Sequence, residues 1–97
     1  MASMVKSVCS SFADALSATK KGNFFAYYAD GSEVMGFNVQ SIMLDDNGIS
    51  IKNEGHFMCT VRFSDVKDAE CETMPDGTTE LRMYLTDGTE IAIDTCL

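Results

Sequence analysis

The sequence predicts an α+β chain that is mostly β: one N-terminal helix packed on a strongly bent antiparallel β-meander, or partly closed barrel, of six to eight strands. Three observations lead there. Apolar residues follow helical spacing only in residues 4–21, and beyond Gly22 they alternate with polar ones. Turn signals recur at short intervals: Asp30-Gly31, Asp45-Asp46-Asn47-Gly48, Asn53-Glu54-Gly55, Pro75-Asp76-Gly77 and Asp87-Gly88. The strands between them are too short and too many for a flat open sheet.

The helix stripe is Val5, Val8, Cys9, Phe12, Leu16 and Thr19, at i, i+3, i+4 and i+7 spacing. Ser3 suits the N-cap, Lys20 and Lys21 the cation-favouring C-terminus, and Gly22 the C′ position. A stripe of Val, Cys and Phe diluted by Ser is a weak intrinsic helix, so docking on the sheet has to stabilise it. Residues 23–29 and 33–39 form the first hairpin. It is apolar on both faces, with Phe24, Ala26 and Val34 on one and Phe25, Tyr27, Met35 and Phe37 on the other. Such a hairpin should be sandwiched, with the helix as its cover, and Gly36 should mark a bend or a close backbone approach.

The alternation changes phase at Gln40-Ser41, and Ile42 and Leu44 then meet Ile51 and Ile49. The turn at Asn53-Glu54-Gly55 sets Ile51 opposite Phe57 and Ile49 opposite Cys59. Phe57, Cys59, Val61 and Phe63 make the clearest buried row, and residues 64–68 make a corner. In the last hairpin, residues 79–95, Leu81, Met83 and Leu85 face Ile93, Ile91 and Thr89 only across a three-residue loop, Thr86-Asp87-Gly88. A two-residue turn would place carboxylates on the apolar face, so burial selects a type I turn closed by a left-handed Gly88, a G1 bulge. Tyr27-x-x-Asp30-Gly31-Ser32-Glu33-Val34 echoes Tyr84-x-x-Asp87-Gly88-Thr89-Glu90-Ile91, which shared turn chemistry explains as well as a duplication does.

Ninety-seven residues make a single domain, 1–97, with enough core to fold unaided, and 45% apolar and 23% charged residues are those of an ordinary globule. A lone Pro and no low-complexity run leave no linker. The opening M-A-S-M-V-K-S has no signal-peptide core, and no run approaches membrane-spanning length. The expected address is therefore the cytoplasm, and Cys9, Cys59, Cys71 and Cys96 are expected to be reduced.

Charge is the unusual property: fifteen acids against seven bases, net −8. Residues 64–97 hold nine of the acids and only Lys67 and Arg82 as bases. Phosphate backbones and anionic membranes should repel such a chain, and a basic surface should attract it. Extending the register of the last hairpin sets Thr73 opposite Thr79, Cys71 opposite Leu81 and Ala69 opposite Met83. The other face then carries three rows: Glu72, Glu80 and Asp94; Glu70, Arg82 and Ala92; Asp68, Tyr84 and Glu90. Like charges opposed across strands cost up to about 1 kcal/mol per contact, so stability does not explain these rows. They are either a solvated face that discourages aggregation or a docking surface for a basic partner. A divalent-cation site fits poorly, because calcium needs a curved cage of oxygens, and Asp45-Asp46-Asn47-Gly48 lacks the distal Glu of an EF-hand.

Catalytic, metal and cofactor motifs are missing from the pattern. His56 is the sole histidine, Cys59 points into the core, the cysteines lack paired spacing, and Gly31, Gly48, Gly77 and Gly88 each follow Asp or Asn as turns require. The expectation is a non-enzymatic binding module, monomeric or homodimeric and without cofactors. It meets its partner through Glu70, Glu72, Glu80, Arg82, Tyr84, Glu90 and Asp94, with Met58 and Met74 beside Tyr84 as an apolar centre. A concrete form is an inhibitor filling the basic groove of a DNA- or RNA-handling enzyme. Phage anti-defence proteins, anti-CRISPRs among them, are alike in size and charge, an analogy of class without a shared motif. The alternatives are an oligomeric subunit assembling through edges at 42–44 and 89–95, and a ligand-binding barrel lined by Phe12, Leu16, Phe24, Phe37 and Phe63.

Overall fold

Strict alternation and a repeated Asp-Gly turn decide most of the architecture. The computed structural model describes the backbone of residues 2–19, 21–53 and 56–95, and the side chains of all of these except 2, 3 and 56–58. The helix α1 (Ala2–Thr19) is followed by β1 (Gly22–Tyr27), β2 (Glu33–Val39), β3 (Ser41–Leu44), β4 (Gly48–Asn53) and β5 (His56–Arg62). A 3₁₀ turn (Phe63–Asp65) leads to β6 (Val66–Thr73), β7 (Thr79–Leu85) and β8 (Glu90–Thr95). The strands form two antiparallel sheets, ordered β2-β1-β8-β7-β6 and β3-β4-β5, and neither closes into a barrel. The α+β, mostly β class is thus observed, with eight strands among the described residues.

Three hairpins share one turn. In each, the amide of the Asp-Gly glycine donates to the carbonyl three residues before it, and that earlier residue's amide donates to the Ser or Thr that follows the glycine: Tyr28 to Ser32 at 2.8 Å, Met74 to Thr78 at 2.7 Å and Leu85 to Thr89 at 2.8 Å. The aspartate accepts the amide two residues ahead, and the glycine has positive φ, +92° at Gly88. Register then follows as expected, with Met83 opposite Ile91, Leu81 opposite Ile93 and Cys71 opposite Leu81.

The inner face of the larger sheet is covered by α1 and by the smaller sheet. Helix residues Val5, Cys9, Phe12 and Leu16 are buried with Leu81, Met83, Ile91, Ile93, Ile49, Ile51 and Phe63 in one apolar cluster. Each fully buried aliphatic or Phe side chain removes roughly 1.5–3 kcal/mol of apolar hydration cost. Thr95 is buried among them, and its Oγ1 accepts the Thr79 amide at 2.9 Å.

Several local expectations are corrected. The helix starts at Ala2 and ends at Thr19, so Ser3 lies within it rather than capping it. The Thr19 hydroxyl lies 3.3 Å from the Leu16 carbonyl and 3.2 Å from that of Lys21, marking the exit; Lys20 lies outside the described residues. Gly22 belongs to β1, and close approach explains it: a Cβ there would sit 2.5 Å from the Asp94 carbonyl oxygen. Gly48 follows the same logic, a Cβ meeting the Val61 backbone, so it is no turn glycine of the Asp-Gly kind. Pairing of β4 with β5 sets Ile51 opposite Cys59 and Ile49 opposite Val61, two residues from the expected register. Half of that difference arises where Asn53 pairs with His56 instead of lying in the loop, and half in an irregularity beside Ile51, where Lys52 meets Phe57 and Met58 is the extra residue. The corner shortens to the 3₁₀ turn, since Val66 already belongs to β6.

The first hairpin differs most. Phe24 opposes Phe37, their rings 4.5 Å apart, and Ala26 opposes Met35, so all four share the inner face. Val34 is the extra residue where register shifts between Ala26 and Tyr27. The helix packs on β6, β7 and β3 rather than over this hairpin. Phe25 and Tyr27 therefore lie on the opposite face, away from the described helix and the smaller sheet. Residues 89–95 are likewise no edge, because β8 lies between β1 and β7; the edges are β2, β6, β3 and β5.

Candidate functional site

Alternation in β6, β7 and β8 turns one side of each strand into the core and the other outward. Rows run across all five strands: Asn38, Asn23, Asp94, Glu80 and Glu72; then Gly36, Phe25, Ala92, Arg82 and Glu70; then Glu33, Tyr27, Glu90, Tyr84 and Asp68. The acidic rows read from the sequence are thus assembled, with Glu72 opposite Glu80 and Glu80 opposite Asp94. Strands about 4.8 Å apart, and about 6.6 Å between same-face residues along each, set the carboxylates on a dense grid.

Arg82 organises the centre of this face. Its Nη2 donates to Glu80 Oε1 at 2.8 Å, its Nε to the same oxygen at 3.0 Å, and its Nη1 to Glu90 Oε1 at 2.7 Å. The two bonds to Glu80 foremost, and the one to Glu90 after them, hold the guanidinium well above its ordinary pKa against partial burial. Charge-assisted bonds of this kind restrict all three side chains. Arg82 therefore acts within the face, fixing two carboxylates, rather than reaching outward. The Tyr84 hydroxyl donates to Glu70 Oε1 at 3.1 Å, and its pKa is raised, first by desolvation and then by that bond. Asn23 Nδ2 donates to Asp94 Oδ1 at 3.2 Å. Neither Glu72, Glu70 nor Asp94 joins an ion pair among the described residues.

Glu80 and Arg82 form a ridge between two depressions. One, of about 270 Å³, is lined by Glu70, Glu72, Met74, Glu80, Arg82 and Tyr84, placing Met74 beside Tyr84 as expected. The Met58 side chain lies outside the described residues. The second depression, of about 450 Å³, extends onto β1. Its aromatic wall, Phe25 and Tyr27, was not legible as part of the site, because only the pairing of β1 with β8 brings those rings beside the carboxylates.

Elsewhere the chemistry is sparse. Cys9, Cys59 and Cys71 are free thiols, and burial, with Cys71 nearby, pushes Cys9 up to about 11. The His56 side chain and Cys96 lie outside the described residues. Among the described residues no group of three or more His, Cys, Asp or Glu side chains is placed to hold a metal ion. At Asp45-Asp46-Asn47-Gly48, Asp45 Oδ1 is taken up by the amides of Asn47 at 2.7 Å and Gly48 at 2.9 Å. Phe12, Leu16, Phe24 and Phe63 belong to the buried core, with Phe37 stacked on Phe24. No helix among the described residues is long and apolar enough to cross a membrane. Comparison of the chain with protein-family models, with curated proteins and with solved structures finds no match.

Proposed function

We propose that this chain is a small, non-enzymatic protein-binding module whose acidic outer sheet face docks on a basic surface. In its most concrete form it is an inhibitor occupying the phosphate-gripping groove of a DNA- or RNA-handling enzyme. The observation that carries the reading is the crowding of Asp68, Glu70, Glu72, Glu80, Glu90 and Asp94 on one outer face, with Arg82 as the one cation in the paired rows of β6, β7 and β8. Opposed like charges weaken a sheet, and a complementary partner removes that cost while speeding encounter and fixing orientation. Glu70, Glu72, Glu80, Glu90 and Asp94 take the place of phosphates, Arg82 holds two of them in position, and Tyr84 adds an amphipathic contact.

The test is affinity capture from a panel of nucleic-acid enzymes on the immobilised chain, eluted by a salt gradient. A bound enzyme should elute with rising salt and lose its nucleic-acid substrate in competition. Glu72→Lys combined with Glu80→Lys should reduce affinity at least 100-fold, about 2.7 kcal/mol, with an unchanged circular dichroism spectrum. Full affinity in that folded double variant overturns the proposal.

A further inference from the structure

The acidic face does not end at β8, and its continuation onto β1 is chemically different. The central row reads Gly36, Phe25, Ala92, Arg82 across four neighbouring strands, two small residues alternating with two large ones. Phe25 leans towards Gly36, its ring edge 3.5 Å from where a Cβ would stand. Ala92 therefore floors a dip between the ring and the Arg82 guanidinium. It is only 8% exposed yet lies outside the connected apolar cluster, so its surroundings on the outer face are what screen it. Asp94 and Glu90 flank it along β8, Glu80 stands on the ridge, and Tyr27 continues the aromatic wall, its ring 6.5 Å from that of Phe25 and inclined 20° to it. Three carboxylates against one guanidinium leave the dip at net −2.

From this juxtaposition we infer that the depression receives an arginine side chain of the basic partner, its guanidinium lying on the Phe25–Tyr27 wall and bonded to the carboxylates of Glu90 and Asp94. The inference rests on the docking face described above and deepens it by naming the partner's contact residue. Arginine rather than lysine follows from the geometry. A guanidinium is planar, sheds water readily, stacks on an aromatic ring and bonds a carboxylate through a two-pronged edge, whereas an ammonium is a compact, strongly hydrated charge that gains less from a ring face and has no such edge. Neither the rings nor the acids alone would discriminate; the dip offers both within one side chain's reach.

The experiment compares octa-arginine and octa-lysine, labelled peptides of equal length and charge, binding to the full chain at fixed ionic strength by fluorescence anisotropy. Octa-arginine should bind about tenfold more tightly, the scale of a well-placed cation–π contact. Phe25→Ala should erase that preference. Phe25→Leu, which keeps apolar cover over Gly36 without a π face, should erase it too, so a folding defect is separated from the loss of the ring. Asp94→Asn should weaken both peptides. Equal affinities in the unsubstituted chain, or a preference that survives Phe25→Leu, overturns the arginine site while leaving the acidic docking face standing. Absence of salt-dependent binding to either peptide overturns both.

Discussion

The first and last hairpins are built on the same five-residue turn, yet their strands meet opposite fates. In β7–β8 the inward residues Leu81, Met83, Ile91 and Ile93 are all buried, while the outward ones are Glu80, Arg82, Tyr84, Glu90, Ala92 and Asp94. In β1–β2 both sides are apolar: Phe24 and Ala26 go inside, Phe25 and Tyr27 outside. The turn decides which residues pair. It says nothing about which side of the pair is covered, and that is settled by the next strand over. Because β1 pairs with β8, its outer residues inherit the environment of the acidic sheet. The same pairing brings the two turns side by side, so that a Cβ on Gly88 would lie 2.9 Å from the Cβ of Ala29.

Substitution of neighbouring rings breaks this comparison most forcefully. Phe24, 2% exposed and stacked on Phe37, should cost about 3–5 kcal/mol when replaced by Ala. Phe25, one residue away on the open face, should cost about 1 kcal/mol, little more than a partly covered apolar contact. Urea unfolding measures both, and equal losses would mean that both sides of β1 are covered. The two turns give the next largest effect. Gly31→Ala, with nothing within 4 Å of the new methyl, should show only the backbone penalty of a positive φ, about 1 kcal/mol. Gly88→Ala should cost more, because its methyl also meets Ala29. Equal costs in the two hairpins would show that the turns do not touch.

The smallest effect is an acid one, and it should be common to both hairpins. Asp30 is held below the usual 3.8 by the Ser32 hydroxyl and then its amide, and Asp87 by the Thr89 amide and then its side chain. A carboxyl whose pKa is lowered by folding adds stability above 3.8 that is lost as pH falls through the lower folded value. The thermal midpoint should therefore decline from about pH 4 downward. Asp87→Asn should remove only the share belonging to the last turn. A midpoint indifferent to acid would exclude these aspartates as ionised turn acceptors.

How far the chain could be read depended on how local each determinant was. The β6–β7–β8 register was legible because Leu81, Met83, Ile91 and Ile93 leave one pairing that buries them all. The rows of Glu72, Glu80 and Asp94 came with it. The β4–β5 register was missed by two residues because Asn53, a turn-type residue, pairs with His56, and because the irregularity at Met58 has no compositional signal. Gly22 and Gly48 looked like cap and turn glycines because the backbones that exclude their side chains, at Asp94 and Val61, lie far along the chain. Phe25 and Tyr27 escaped the candidate site for the same reason. Alternation reports that a strand has two sides, but a hairpin apolar on both cannot tell them apart until β8 arrives.

That β8 follows all the other described strands and is also a central one has a kinetic consequence. Gly22 pairs with Thr95, a contact that closes a loop of most of the chain, and such high contact order slows folding towards the millisecond-to-second range. During translation β1–β2 and β6–β7 must wait as separate ribbons, each with an edge destined for β8 and open to wrong partners. Premature termination anywhere before residue 90 would therefore leave a nascent chain whose two ribbons have no strand to pair them into one sheet.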